Sequence, residues 1–272
     1  MTSLTVAVGQ MQVSSQWREN LATIDDLASR AVAEGARLLC LPEGVIARDP
    51  AQPNLAGAEA QPLDGPFVSG LTEITARAGI AISTTVHISG EHPKPHNVHL
   101  VIDRGEIIAS YAKLHLYDAF TSRESDNVEA GDQVPPLVEI DGIKFGLMTC
   151  YDVRFPELAR ALTVAGADVL LLPAAWVRGS LKEQHWQVMT TARAVENTVY
   201  VVACGEVSAR NIGRSLVIDP LGVTLAAAAE EPQLFTAVID TERLRRARAD
   251  LPVLQNARFS SPELQPVKET QS

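Results

Sequence analysis

The chain has 272 residues, 46% of them hydrophobic and 21% charged, with a formal net charge of −10 at pH 7. Such a chain buries a substantial core without staples, and its composition is that of a soluble globular protein. The acidic balance, with no basic run to offset it, argues against nucleic acid as a partner. No apolar run approaches the roughly 20 residues of a membrane span.

In chain order, MTSLTVAVGQMQV has neither the charged start nor the long apolar stretch of a signal peptide and reads as a first strand, Leu4 to Val13. Ser15 offers an N-cap, and Leu21, Ile24, Leu27, Ala28 and Ala31 recur at helical spacing until Gly35. Arg37 to Leu41 is a short buried strand closed by Pro42, and Pro50 to Pro66 is a looser excursion. A helix to about Ala78 and a strand Ile80 to Ile88 follow, then a polar loop, Gly90 to Pro95. Asp103-Arg104-Gly105 and Asp141-Gly142 each join two apolar runs, as hairpin turns do. After Cys150 the pattern predicts a helix to about Val164, a strand Val169 to Leu172 and a helix from about Leu181 to Asn197. Strands Val199–Ala203, Ser215–Ile218, Val223–Ala227 and Phe235–Ile239 complete the pattern, with Asp219 to Gly222 as a turn. The polar end, about 250–272, reads as an extended arm on a single domain spanning 1–272.

GARLLCLP, Gly35 to Pro42, echoes GADVLLLP, Gly166 to Pro173. Each is a helix–glycine–strand–proline unit. The echo is either chance or the mark of two similar halves, which would pack as two sheets with helices outside. The three cysteines cannot all pair. Cys40 and Cys204 lie in strand-like runs and read as packing, no Cys-x-x-Cys spacing occurs, and free thiols fit a reducing cytoplasm.

Cys150 is different. It ends the strand-like GLMT, and the next residues, Tyr-Asp-Val-Arg-Phe-Pro-Glu, open a helix. A thiol at such a junction meets free backbone N–H groups that favour thiolate, and the amide after it is placed to hold an oxyanion. Read alone, it is as readily a packing residue. Glu43 follows the strand LLCLP at its carboxyl end, where open α/β sheets put their sites. Lys113 stands similarly after IIASYA, and Glu124 lies in a polar loop; each alone is an ordinary surface charge.

Taken together, PEG with Glu43, YAKLHLYD with Lys113, RES with Glu124 and TCYDVRFPE with Cys150 resemble the nitrilase superfamily of carbon–nitrogen hydrolases. The resemblance runs from the first strand to Leu251-Pro252-Val253 and includes HWQVMTTARAVENTVYVV and SLVIDPLG. It implies an α/β fold, a four-layer αββα sandwich, and a Glu–Lys–Cys triad with a second Glu beside it. On this reading Glu43 is the general base, Cys150 the nucleophile, and Glu124 fixes Lys113. Lys113 and the Tyr151 amide stabilise the oxyanion. Neither metal nor cofactor is called for.

ARDPA, CYDVRFPEL and the His185-Trp186 pair narrow the likeness to the Nit branch, the omega-amidases and deaminated-glutathione amidases. That implies release of ammonia from a small acid bearing a terminal amide, with Trp176 and Ser180 lining the acyl pocket. Arg154 either holds a substrate carboxylate or pairs with Glu157 one turn on. The loop Gly205 to Ser215 departs from the branch: it is short, and it carries Arg214 where the branch tends to have His. The family implies a homodimer through Leu158, Leu162, Met189 and Val195, which also suit an ordinary core. Other readings are a nitrilase, an N-carbamoyl amidase, a silent binding protein on the same fold, or a Cys–His hydrolase using His115 or His185. The loop histidines 92, 96 and 99 read as polar surface rather than metal ligands.

Overall fold

The computed structural model describes residues 3–52, 54–120, 122–259 and 261–265. The first half runs β1 (Ser3–Gln10), α1 (Trp17–Ala33), β2 (Leu38–Cys40), α2 (Leu55–Ala58), α3 (Pro66–Ala78), β3 (Ala81–Ile88), β4 (His96–Asp103) and β5 (Glu106–Ala112). A crossing segment carries the two-residue strands β6 (Asp118–Ala119) and β7 (Ser122–Arg123) and a 3-10 turn, Glu124–Asp126. The second half runs β8 (Val138–Ile140), β9 (Ile143–Leu147), a 3-10 turn Cys150–Arg154, α4 (Pro156–Val164), β10 (Val169–Ala174), α5 (Lys182–Asn197), β11 (Tyr200–Gly205), β12 (Leu216–Ile218) and β13 (Thr224–Ala227). The chain then returns through β14 (Gln233–Asp240), α6 (Thr241–Asp250) and α7 (Val253–Asn256).

The strands form two six-stranded mixed sheets, ordered β14-β1-β2-β3-β4-β5 and β13-β12-β11-β10-β9-β8. In each, three parallel strands are flanked by one antiparallel strand on one side and two on the other. The sequence echo lands on β2 and β10, which occupy the same place in the two sheets, so it marks a real repeat of architecture. Alternation along the strands fills two cores. Val6, Val8, Leu38 and Cys40 face the second sheet and share a core with Phe145, Leu147, Val169 and Leu171. Ala7, Leu39 and Ile82 face the other way, onto Leu27, Ala31, Phe67 and Leu71 of α1 and α3. Helix α4 lays Leu158 and Leu162 into the first of these cores, so neither residue is available to a partner.

Both hairpin expectations hold. Arg104 and Gly105 have φ of 49° and 89°, and Asp141 and Gly142 have φ of 49° and 81°, the two left-handed residues that a tight hairpin needs. Three local expectations are revised. Gln16, not Ser15, caps α1, while the Ser14 hydroxyl accepts from the Gln16 amide. The helix expected straight from Cys150 is a 3-10 turn followed by α4, because Phe155 precedes proline and sits extended at φ −107°, ψ 94°. Helix α6 has only Leu244 and Ala247 buried, too narrow a stripe to announce a helix. It is held by Asp240, whose carboxylate accepts from the Glu242 and Arg243 amides, and by Arg248, which reaches Asp168 and the Ala167 carbonyl. The C-terminal stretch carries only the short α7 among its described residues, and 266–272 of the expected arm lie outside them.

Candidate active site

Parallel strands bring their carboxyl ends together, and here the ends of both sheets meet around one cavity of about 640 Å³. Glu43 stands just past β2, Lys113 just past β5 and Cys150 just past β9, and all three line the cavity with Glu124. The four residues expected from separate parts of the sequence are therefore brought together.

Lys113 is 1% exposed and sits between two carboxylates. Its Nζ lies 2.9 Å from Glu43 Oε1 and 2.8 Å from Glu124 Oε2. Burial alone would push this ammonium towards its neutral form, but Glu124 and Glu43 outweigh it and hold its pKa well above the ordinary value. Lys113 stays a cation. Gly131 keeps it in place: its amide donates to the Lys113 carbonyl, and a Cβ there would stand 2.2 Å from the Ala112 carbonyl oxygen.

Glu43 is 4% exposed and fully engaged. Oε1 also accepts from Asn97 Nδ2 at 2.8 Å, and Oε2 accepts from the Ala175 amide at 2.8 Å. Burial pushes the carboxyl up, yet Lys113 and Arg48 prevail and hold it at about 2. Arg48 reaches the same residue from behind, donating from Nε and Nη2 to the Glu43 carbonyl. Glu124 accepts from the Tyr117 amide at 2.6 Å, which fixes its carboxylate on Lys113.

Cys150 has a φ of 44°, a left-handed conformation uncommon outside glycine. The corner is held by Asp152, which is fully buried. Asp152 closes a capping box with Thr149 and accepts from Tyr111 Oη at 2.9 Å and from the Thr149 amide at 2.8 Å. The His115 ring meets its other oxygen at 2.7 Å and stacks on Phe155. His115 is thus committed to Asp152, which removes the reason to pair it with the sulfur. His99, expected on a polar surface loop, is instead fully buried within β4; it bridges the Ser83 hydroxyl and the Met148 carbonyl, tying β3 and β4 to the end of β9. As the second residue of the turn, Tyr151 carries one of the amides that helix geometry leaves without an internal acceptor.

The sulfur is not ionised at rest. Burial and the neighbouring Glu43 carboxylate push its pKa well above the ordinary thiol value, against the pull of Lys113 and the Ala175 amide. This revises the expectation of a standing thiolate: the turn sets a buried sulfur beside the Glu43 carboxylate, which disfavours its charged form.

Trp176 lines the cavity; Arg154 stacks over its ring at 4.9 Å and is not in the cavity wall, and no Arg154–Glu157 pair forms among the described residues. Ser180 is exposed and outside the lining. The short loop does shape the cavity, through Glu206, Ser208, Arg210 and Asn211. On α5, Arg193 donates to the Val153 carbonyl and to Glu196, and Trp186 is buried on the same helix. Asp152, Asn97, Arg48, His87 and Lys182 were not singled out from sequence; the Asp three residues after Thr149 was the one legible signal among them. Among the described residues no cluster of three or more His, Cys, Asp or Glu could hold a metal, and no helix is long and apolar enough to cross a membrane.

The carbon-nitrogen hydrolase family model matches residues 5–249. The chain belongs to this family. This carbon–nitrogen hydrolase is 46% identical over 261 residues to the deaminated glutathione amidase of Escherichia coli O157:H7, covering 96% of this chain and 100% of that one. Its structure resembles XC1258 from Xanthomonas campestris, a CN-hydrolase superfamily protein, with a TM-score of 0.86, 26% identity and coverage of 97% and 100%. It also resembles Saccharomyces cerevisiae Nit3, of branch 10 of the nitrilase superfamily, with a TM-score of 0.83, 26% identity and coverage of 94% and 97%. The Nit-branch resemblance read from the motifs therefore holds, and the chain is an amidase of the carbon–nitrogen hydrolase type.

Proposed function

We propose that the chain hydrolyses the terminal amide of a small carboxylic acid, of the omega-amide or deaminated-glutathione type, through a thioester on Cys150. The observation that carries the assignment of residues is the Cys150–Glu43–Lys113–Glu124 contact at the floor of the cavity. Glu43 accepts the thiol proton as the sulfur attacks the amide carbon, so no free thiolate has to persist in a buried site. Negative charge then grows on the former carbonyl oxygen, where the Lys113 ammonium and the Tyr151 N–H stabilise it. The tetrahedral intermediate collapses as Glu43 returns its proton to nitrogen, and ammonia leaves. Water, deprotonated by Glu43, attacks the thioester; the acid departs and the proton returns to sulfur. Glu124 keeps Lys113 charged and in place throughout. Trp176 forms the wall beside the acyl chain, and Arg154 adds positive charge behind it.

A cavity of about 640 Å³ suits a substrate larger than a simple amide. We also infer the four-layer αββα order and a single domain with a C-terminal arm. Three free, buried cysteines fit residence in a reducing cytoplasm. A homodimer would use the face of α4 and α5, where Val164 and Val188 are exposed; light scattering showing only monomer would remove it.

Ammonia release from 2-oxoglutaramate, deaminated glutathione, a nitrile and an N-carbamoyl compound tests the activity. The omega-amide acids should be the best substrates, and Cys150→Ala should abolish turnover. A Cys150→Ala protein that keeps wild-type rates sinks the mechanism.

A further inference from the structure

Lys182 is badly placed for stability. It is the first residue of α5, where the positive end of the helix dipole repels a cation. It is 5% exposed, and Arg154 stands close enough to disfavour its charge further. Among the described residues no carboxylate pairs with it. Its Nζ donates to Tyr117 Oη at 2.6 Å and lies over the Phe120, Tyr117 and Trp176 rings at 4.1, 4.8 and 5.5 Å. The backbone is bent to put it there: Leu181, just before it, has a φ of 59°. A packing role would be met by an apolar residue without these costs.

A second observation points the same way. Arg154, also close to the Trp176 ring, has Nε and Nη2 buried with no partner. Arg210, also in the cavity wall, acts on Tyr117 as a third positive charge. The buried acid on this loop, Glu206, is occupied by neutral donors, Ser208, Asn211 and the Val13 amide. Lys182 and Arg210 in this wall therefore have no carboxylate partner among the described residues, since the acid within it, Glu206, is held by neutral donors. The wall faces the nucleophile, whose charge both Lys182 and Tyr117 would feel.

We infer that Lys182, with the Tyr117 hydroxyl, receives the free carboxylate of the substrate and thereby selects amide-bearing acids over neutral amides. The inference rests on the amidase reading above and names the part of the site that reads the substrate's other end. Nζ would donate to one carboxylate oxygen. The Tyr117 hydroxyl already accepts from Nζ, so its own hydrogen is free to donate to the second. Tyr117 also holds Glu124 through its amide, so one residue spans both ends of the substrate. The incoming carboxylate supplies the counter-ion that the fold omits, and Trp176 covers the methylenes between.

The test compares glutaramate with pentanamide, its analogue without the carboxylate, in wild type, Lys182→Gln and Lys182→Arg. Loss of a charged hydrogen bond should lower the wild-type preference for glutaramate by about 10- to 100-fold in Lys182→Gln, mainly through KM. Lys182→Arg should recover part of it. Equal losses on both substrates, or an unchanged preference, overturn the inference. Calorimetry of glutarate with the Cys150→Ala protein needs no turnover: binding should weaken when Lys182→Gln is added, and unchanged binding overturns the inference even if amidase activity stands. Should wild type hydrolyse no amide, the amidase reading falls, and the glutarate titration still decides the role of Lys182. Lys182→Met should melt at or above the wild-type temperature, because an unpaired buried charge is removed. A marked fall would make Lys182 a structural prop and overturn the proposal.

Discussion

The two halves of the molecule share one frame and divide the chemistry between them. Pairing registers make the comparison residue by residue. Val6 faces Leu38 in the first sheet as Phe145 faces Val169 in the second. Continued along the strands, that register sets Met11 against Cys150, Glu43 against Ala174 and His87 against Glu206. The proposed nucleophile thus stands where the other half has a thioether, and the proposed base stands where the other half has a methyl group. Neither half holds a working pair. Lys113, Asn97 and Arg48 reach Glu43 from its own half, and sheet packing adds the second: its amide lies on the Ala174 carbonyl and its carboxylate on the Ala175 amide. A repeated scaffold forms a single site when each half carries what the other lacks.

The sharpest way to break this division is Glu43→Gln, which keeps the shape of the first half and removes its base. Turnover should fall about 10²- to 10⁴-fold, read by ammonia release, and the melting temperature should fall as well, because Lys113 loses one of its two buried carboxylates. Next in size is Asp152→Ala, which strips the second half of the carboxylate that holds its corner. Tyr111, Thr149 and His115 would lose their shared acceptor, so stability should drop by about 3 kcal/mol in urea unfolding, with turnover falling too.

Acid should loosen the first half selectively. Burial holds His87 and His99 at about 3, well below the ordinary value of 6.5. The unfolded chain takes up protons at both rings below 6.5, while the folded chain refuses them until about 3. Their contribution is therefore fully present above 6.5 and is lost as pH falls through that window. The loss should be on the order of 1–2 kcal/mol per ring between pH 7 and 5, and His99→Gln should remove about half of it in unfolding titrations. Glu43 acts lower, its contribution fading as pH falls from about 4.5 to about 2. The smallest effect belongs to Cys204→Ala: about 1 kcal/mol of stability and an unchanged turnover number, against the complete loss expected of Cys150→Ala. Equal losses from both would show that the sulfur of Cys150 serves packing alone.

Much of this was legible from residues in order. Strand ends can be read from proline and glycine, and strand ends are where Glu43, Lys113 and Cys150 sit. The echo at Gly35 and Gly166 gave the two halves because each unit repeats the same local pattern. What escaped was held by long-range contact. Lys182 looked like any lysine on an amphipathic helix, since only folding brings Tyr117, Phe120 and Arg154 around it. Asn97 and His99 alternate within a strand like any polar residues, and their partners lie 54 and 49 positions away. The ionisation of Cys150 was misjudged because a sequence shows the helix start but not the carboxylate that folding sets beside the sulfur.

That resting state has a consequence for chemical wear. Peroxide and alkylating agents react with thiolates, and a sheltered, protonated sulfur gives them little to attack. On the proposed mechanism the proton leaves as the sulfur attacks an acyl group, so damage and turnover would draw on different forms of the same atom. Iodoacetamide should therefore label Cys150 more slowly than a free thiol, and a faster reaction would show that the sulfur rests ionised.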